Sequence, residues 1–313
     1  MTSGAIINPV RSARLTTKGS KSIKYGRVEV VAKMPKGSWL WPAIWMMPED
    51  SVYGEWPKSG EIDIMESRGN YGDDYPDGRD SAISALHWGP IAEKDAFWRT
   101  SGKHNVRRTD YSETFHTYGL EWSDNYLFTY IDSRLLVSAP FPENLARNLF
   151  APSFRPVFLL HVLTATPLAY QRAGAFLGIF LGVTLLTTKI PFVFQQQVFY
   201  VKFNSKRNMW TRGGFGEVIV NDSALYDPWS QTGRANTPFD QPFYLILNVA
   251  VGGTNGFFKD MVGNKPWGDG SEKAAREFWE SKDRWYQTWG EGDSRGLTVK
   301  RVRMWQQGAC GSK

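Results

Sequence analysis

Polar and apolar residues alternate along much of the chain, and this period of two is typical of β-strands with one buried face. The alternation predicts strands over Tyr25–Ala32, Tyr126–Ile131 and Leu297–Trp305. Apolar residues recur at helical spacing in one stretch, Glu272–Trp285, which predicts a helix there. Because many strands with few helices bury their apolar faces best by stacking two sheets, the pattern predicts an all-β sandwich.

One short segment, Glu61–Glu66, combines three carboxylates with apolar neighbours in the order EIDIME. If it is a strand, Glu61 and Asp63 point to one face and the isoleucines point to the other. Strict alternation would turn Glu66 to the wrong side, and one extra residue, a β-bulge near Met65, would bring it back. The segment is therefore predicted to present all three acids on one face of a kinked strand.

Paired carboxyl groups on one side of a sugar are the machinery of retaining glycoside hydrolysis when they lie about 5–5.5 Å apart. One carboxylate attacks the anomeric carbon, and its partner donates a proton to the departing oxygen. Crowding separates the pKa values of such acids, so that one stays protonated near neutral pH while another is ionised. Two alternatives remain for this segment: an acidic edge strand, and three ligands for a hard cation such as calcium.

The same segment resembles the bulged signature of glycoside hydrolase family 16, the laminarinase and β-1,3-glucan-binding group. Four flanking segments stand in the family's order: 41–48 (WPAIWMMP), 86–90 (LHWGP), 118–122 (YGLEW) and 242–253 (PFYLILNVAVGG). The resemblance covers residues 5–136 and 197–310. It implies a concanavalin A-like β-jelly-roll sandwich with a concave substrate cleft.

The resemblance also implies roles for the three acids. Glu61 matches the nucleophile that forms the glycosyl-enzyme intermediate, and Glu66 matches the general acid that later serves as base for water. Asp63 would hydrogen-bond near Glu61 and hold its charge state during the cycle. No cofactor is required for this chemistry, because both reacting carboxyl groups come from the protein.

Four further residues are predicted to bind substrate by the same resemblance. Trp45 and Trp56 match positions that stack on sugars next to the cleavage point. His87 matches a histidine of the cleft that would hydrogen-bond the substrate or the acid/base, and Asn248 lies on the strand that forms the other half of the cleft. A purely structural role is the alternative for each tryptophan and for the histidine.

Three functions are compatible with these residues. The first is an endo-acting hydrolase of β-1,3-glucan or mixed β-1,3/1,4-glucan, and the second is a non-catalytic glucan-recognition protein, which typically loses the acids. The third is a cell-wall transglycosylase, which passes the same intermediate to another sugar. Because all three acids are present, the sequence favours the hydrolase.

Composition agrees with a sugar-handling protein and argues against nucleic acid as a partner. The chain has 14 Trp and 30 Gly; tryptophan faces stack on pyranose rings, and glycine supplies turns. The net charge is +6, but the basic residues are dispersed, with no run of five. We expect a monomer whose partner is a β-glucan polysaccharide. No Cys/His cluster suggests zinc, and the sequence places no ligands for the structural calcium found in parts of the family.

Residues 137–196 differ from the rest of the chain. No acidic residue occurs from Asn144 to Gln196, and the alternating pattern is lost. We predict an aberrant insertion, poorly ordered or partly helical, within a single catalytic domain formed by residues 1–136 and 197–313. A retained intron is the favoured origin, and a lineage-specific insertion is the alternative. Its most apolar stretch, Ala173–Thr188, has 16 residues, fewer than a membrane span usually needs.

The first residues show no charged segment followed by an apolar core, so no signal peptide is visible. Members of the family are usually secreted, which predicts an extracellular or cell-wall protein whose leader and first strand lie upstream. Cys310 is the only cysteine, so it is expected either as a reduced thiol or as half of a cystine whose partner lay upstream.

Overall fold

The computed structural model describes residues 10–72, 74–132 and 196–308. The strands in these ranges are β1 (Arg14–Thr16), β2 (Ser22–Ile23), β3 (Gly26–Lys33), β4 (Leu40–Pro48), β5 (Glu61–Glu66), β6 (Ser81–His87), β7 (Ser101–Asn105), β8 (His116–Trp122), β9 (Tyr126–Ile131), β10 (Gln196–Lys202), β11 (Ile219–Val220), β12 (Ser223–Ala224), β13 (Phe243–Val251) and β14 (Thr298–Gln306). Short α-helices span Met209–Gly213, Ala274–Glu280 and Lys282–Trp285.

These strands form two large antiparallel sheets. The seven-stranded sheet has the order β1-β13-β4-β5-β6-β7, with β2 also paired to β13, and the five-stranded sheet has the order β10-β9-β8-β3-β14. A small ribbon of β11 and β12 stands apart. The predicted fold class is confirmed: the described residues form an all-β sandwich of the jelly-roll type.

One apolar core includes side chains from both sheets. Val28 and Val30 of β3 belong to the five-stranded sheet, and Ile44 of β4 and Ile62 of β5 belong to the seven-stranded sheet. Burial of such side chains contributes about 1.5–3 kcal/mol each. Because Ile62 is buried on the core side, its neighbours Glu61 and Asp63 are turned to the opposite face of the sheet.

The three strands predicted from alternation are confirmed within one residue at each end, as β3, β9 and β14. The predicted helix over Glu272–Trp285 is only partly right, because it begins at Ala274 and is interrupted at Ser281. Both pieces bury apolar side chains in a second aromatic cluster, where the rings of Phe278 and Trp285 stack 4.3 Å apart. Tertiary packing of these rings, rather than a continuous helical face, decides the local conformation.

The segment predicted as an insertion, residues 137–196, lies outside the described residues except for Gln196, which opens β10. β9 and β10 are antiparallel neighbours, and Ile131 pairs directly with Gln196. The chain on both sides of the segment therefore belongs to one hairpin of the five-stranded sheet. Cys310 also lies outside the described residues. None of the helices in the described ranges combines the length and apolar character of a membrane span.

Candidate active site

A β-bulge in β5 decides where the three acids point. Trp45 pairs with Asp63 and Ile44 pairs with Met65, so that Ile64 has no partner on β4. The bulge predicted near Met65 is thus confirmed one position earlier. On the other side, the buried hydroxyl of Ser84 donates a hydrogen bond to the Ile64 carbonyl at 2.6 Å. This bond gives a partner to the Ile64 carbonyl, which the bulge removes from the backbone hydrogen bonds between the strands.

The extra residue brings Glu66 to the face that already carries Glu61 and Asp63. All three side chains line one cleft of about 650 Å³ over the seven-stranded sheet. The cleft is also lined by Trp45 and Asn248, two of the predicted substrate-binding residues. The other two, Trp56 and His87, contact the acids from the Glu61 end of β5. The structure therefore brings all seven predicted site residues together.

Two indole groups fix the outer acids. Trp56 Nε1 donates a hydrogen bond to Glu61 Oε2 at 2.6 Å, and Trp41 Nε1 donates one to Glu66 Oε1 at 2.9 Å. Trp56 is 43% exposed, so its ring is open to a ligand as well. Each glutamate is thus held by a neutral donor from β4 or from the loop that follows it, which restricts its rotamers without neutralising its charge.

His87 lies between two aspartates. It is the direct cross-strand partner of Glu61, and its Nε2 lies 3.2 Å from Asp63 Oδ2. Its Nδ1 lies 2.5 Å from Asp95 Oδ2, and the backbone N–H groups of Trp88 and Phe97 donate to the other oxygen of Asp95. Both ring nitrogens are directed at aspartates rather than at Glu66, and contact of His87 with a sugar stays a prediction.

Burial dominates the electrostatics of the cluster. It raises the pKa values of Glu61, Asp63 and Glu66, and repulsion between neighbouring carboxylates raises all three further. Burial lowers the pKa of His87, but its contacts with Asp63 and Asp95 outweigh this and raise the pKa to about 11. The His87 imidazolium lowers the pKa values of the three acids, but burial outweighs it, so they keep a proton at pH values where isolated carboxyl groups have lost theirs.

Trp45 and Asn248 contact each other across the cleft floor. Trp45 Nε1 donates to Asn248 Oδ1 at 2.6 Å. The guanidinium carbon of Arg14, on β1, lies 4.7 Å from the centre of the Trp45 ring. The predicted stacking of a sugar on Trp45 therefore has to use the face that Arg14 leaves open or displace this cation.

The structure adds an aromatic stack that the sequence did not predict, and one of its members, Trp41, lines the cleft. The rings of Trp41 and Phe257 stack 3.8 Å apart and are almost parallel. Arg68 caps this stack with its guanidinium 4.1 Å from the Phe257 ring, and it donates two hydrogen bonds to the Phe257 carbonyl. Trp41 lies in the WPAIW segment that resembles the family, but nothing in the sequence pairs it with Phe257, 216 positions later.

Fold and site together define a jelly-roll protein built around an acidic cleft. The family model for glycosyl hydrolases family 16 matches residues 7–161. A β-1,3-glucan-binding protein of Penaeus monodon is 35% identical over 310 residues, which cover 97% of this chain and 65% of that protein. A glucan endo-1,3-β-glucosidase of Cryptopygus antarcticus is 37% identical over 147 residues, 46% of this chain and 49% of that protein.

Among solved structures, the laminarinase catalytic domain of Thermotoga maritima is 23% identical with a TM-score of 0.41, and the match covers 77% of this chain and 58% of that one. The chain belongs to glycosyl hydrolases family 16. It spans less than two thirds of the length of the curated relatives described above.

Proposed function

We propose that the chain is a retaining endo-β-glucanase that hydrolyses β-1,3-glucan or mixed β-1,3/1,4-glucan. One observation carries the proposal: the bulge in β5 turns Glu61, Asp63 and Glu66 to the same face, where all three line one cleft. Two carboxyl groups on one side of a glycosidic bond are what double displacement requires. Family membership and a relative named as a glucan endo-1,3-β-glucosidase support the same reaction.

In the proposed mechanism Glu61 attacks the anomeric carbon while Glu66 protonates the departing glycosidic oxygen. The bond between sugar and aglycone breaks, and an ester between the sugar and Glu61 forms. Glu66, now ionised, takes a proton from water as the water attacks the ester. Glu61 is released as a carboxylate and Glu66 is protonated again, so the site returns to its starting state.

Neighbouring groups adjust the charge of the two reacting glutamates. The Trp56 indole donates to Glu61 and opposes the burial and the Asp63 repulsion, which raise the pKa of Glu61 to about 8. The buried Asp63 shares a hydrogen bond with Glu61 and lies beside the His87 cation, so it can take up charge as Glu61 loses it. Burial raises the pKa of Glu66 as well, which suits a group that must start as an acid, and the assignment of nucleophile and acid to these two glutamates rests on the resemblance to family 16.

Product analysis on laminarin, lichenan and xyloglucan tests the proposal. We expect oligosaccharides from laminarin or lichenan, and losses of about 10²–10⁴-fold or more for Glu61→Gln and Glu66→Gln. Lys103→Met, at an exposed ion pair with Asp77, is the matched control and should keep the activity. Equal activity of the glutamine variants and the parent would refute the assignment, and transfer products instead of hydrolysis products would identify a transglycosylase.

A glucan-recognition protein without catalysis is the second candidate. The observation that favours it is the 35% identical relative named a β-1,3-glucan-binding protein. Co-sedimentation with insoluble β-1,3-glucan, measured beside the release of reducing ends, separates the two functions. Binding without release would support recognition alone, whereas binding with release would support the hydrolase.

The biological setting follows from the same proposal. We place the protein outside the cell or in the cell wall, where its proposed partner, a β-glucan polysaccharide, is found. We also propose that it acts as a monomer, because a cleft formed within one sheet needs no second chain. Sedimentation equilibrium of the purified chain at micromolar concentration tests the oligomeric state.

A further inference from the structure

Three side chains at the Glu61 end of β5 have the arrangement of metal ligands. Glu61, Asp63 and His87 each offer one donor atom, and these atoms lie within 4.8 Å of one another. In the described ranges this is the one group of three or more such residues with converging donors.

The burial of Asp63 also favours a bound cation. Its side chain is almost completely buried, at 2% exposure, yet in the described structure Oδ2 has no hydrogen-bond partner. The charged group that faces this oxygen is His87, whose Nε2 lies 3.2 Å away. The His87 imidazolium compensates the charge of this oxygen, and a metal ion bound between the two side chains would take the place of the Nε2 proton, which is released on binding.

The distance of 3.2 Å between His87 Nε2 and Asp63 Oδ2 is close to the distance between two donor atoms on one tetrahedral zinc ion. Bonds from zinc to imidazole nitrogen and to carboxylate oxygen are about 2.0–2.2 Å long, and the tetrahedral angle then separates the two donors by about 3.3–3.5 Å. An ion between His87 Nε2 and Asp63 Oδ2 would therefore need only a small shift of either side chain. Rotation of the Glu61 carboxyl supplies the third ligand, and a fourth position stays open to water.

The surroundings of His87 are those of a histidine prepared to bind a metal. Asp95 lies on Nδ1 and so directs Nε2 toward Asp63, which is the second-shell arrangement that fixes the ring of a metal-binding histidine. Asp95 is itself held by the backbone N–H groups of Trp88 and Phe97. The Phe97 ring stacks on the imidazole at 5.0 Å. The ring orientation is thus set by the fold before any ion arrives.

We propose that Glu61, Asp63 and His87 form a reversible site for a divalent transition-metal ion such as Zn²⁺, and that the bound ion switches the cleft off by engaging the Glu61 carboxylate. One imidazole with two carboxylates suits zinc and its neighbours in the first transition series, whereas Mg²⁺ and Ca²⁺ prefer oxygen ligands alone. Metal binding does not depend on the proposed hydrolase function, but the inhibition rests on it.

Calorimetric titration of the full chain with Zn²⁺, and the visible absorption of bound Co²⁺, test the binding. We expect one ion per chain for the parent protein and no binding of Mg²⁺ at this site. His87→Gln should abolish the Co²⁺ spectrum, and Asp95→Asn should weaken the affinity about 10–100-fold. His116→Gln is the matched control, because His116 also pairs with an aspartate, Asp132, but has no second carboxylate; it should bind the ion as the parent does.

The outcomes separate the two proposals. Saturable binding that survives His87→Gln unchanged, or no binding by the parent, would overturn the metal site. If His87→Gln does not fold, as judged by its thermal unfolding, Glu61→Gln takes its place and should weaken binding in the same assays. Inhibition of laminarin hydrolysis over the range in which Co²⁺ saturates supports the switch. Binding with the expected variants, but no hydrolysis by the metal-free protein, would refute the hydrolase and leave the metal site standing.

Discussion

At the scale of single residues, neutral indole donors contact the two glutamates of the acid cluster, and the His87 cation contacts the aspartate between them. Trp41 and Trp56 donate to Glu66 and Glu61, and His87 faces the buried Asp63. Hydrogen bonds to a carboxylate stabilise its ionised form and lower its pKa, while burial does the opposite. The balance of these two effects sets which glutamate holds the proton.

Trp41→Phe isolates one of these effects. The indole N–H of Trp41 lowers the pKa of Glu66, so its removal should raise that pKa further above the usual range. A proposed general acid that keeps its proton to higher pH extends activity upward, and we expect the alkaline limb of the kcat/KM profile to move to higher pH. The measurement is the pH profile on laminarin.

Trp45→Phe is the matched control for this change. Its indole donates to the neutral Asn248 instead of to a carboxylate, so the alkaline limb should stay where it is, even if KM rises. Identical profiles for the parent and Trp41→Phe would show that Glu66 is not the group that titrates on this limb.

At the scale of elements, the loop after β13 depends on a buried lysine. The side chain of Lys265 is fully buried; its ammonium donates to the Phe258 carbonyl at 2.8 Å and to Asp260 at 2.6 Å, and it also contacts Asp269. Next to it, Trp267 lines the cleft and donates to the Gly253 carbonyl. The Lys265 ammonium therefore holds together the loop that carries Phe257, whose ring stacks on Trp41.

We predict that Lys265→Met lowers the free energy of unfolding by about 1.5–3 kcal/mol, because hydrogen bonds to a charged group are lost in a buried place. Lys103→Met removes an exposed ion pair with Asp77 and should cost only about 0–1 kcal/mol. Urea unfolding followed by tryptophan fluorescence measures both variants. Equal losses would mean that the buried lysine is no more important for the loop than a surface ion pair.

At the scale of the whole molecule, the unusual feature is the connection between β9 and β10. Ile131 pairs with Gln196, and 64 residues join these neighbours along the chain. Strands that pair this closely are commonly connected by a turn of two residues. The division into one catalytic domain and an insertion, which the sequence predicts for residues 137–196, remains a prediction.

Replacement of residues 132–195 by Asn-Gly removes the predicted insertion except Gln196, together with residues 132–136, which follow β9, and tests that division. The turn should close the hairpin in its present register, and a shorter closed loop should stabilise the fold by about 2–3 kcal/mol in chain entropy. We expect the shortened protein to keep its activity on laminarin and to unfold at higher urea concentration than the full chain. Loss of activity in a folded protein would show that the segment belongs to the functional unit.

Local patterns were sufficient for the strands and for the acids. Alternation located β3, β9 and β14 because one face of each strand is buried, and the spacing of Glu61, Asp63 and Glu66 required an extra residue in β5. The helix near Trp285 was less well predicted, since its interruption at Ser281 accompanies ring packing within the second aromatic cluster. Strands and helices of this chain are therefore predictable from the sequence where buried residues recur at a regular spacing.

The sequence by itself determined that this protein is a β-sandwich with three acids on one face of a bulged strand, because strand geometry converts spacing directly into direction. Only the tertiary structure decided which groups surround those acids. Trp41 on Glu66, Asp95 behind His87, and Phe257 on Trp41 come from segments whose separation in sequence carries no information about distance in space. Their contacts arise when the strands and loops fold over one sheet, and those contacts determine which acid is held, charged or able to bind an ion.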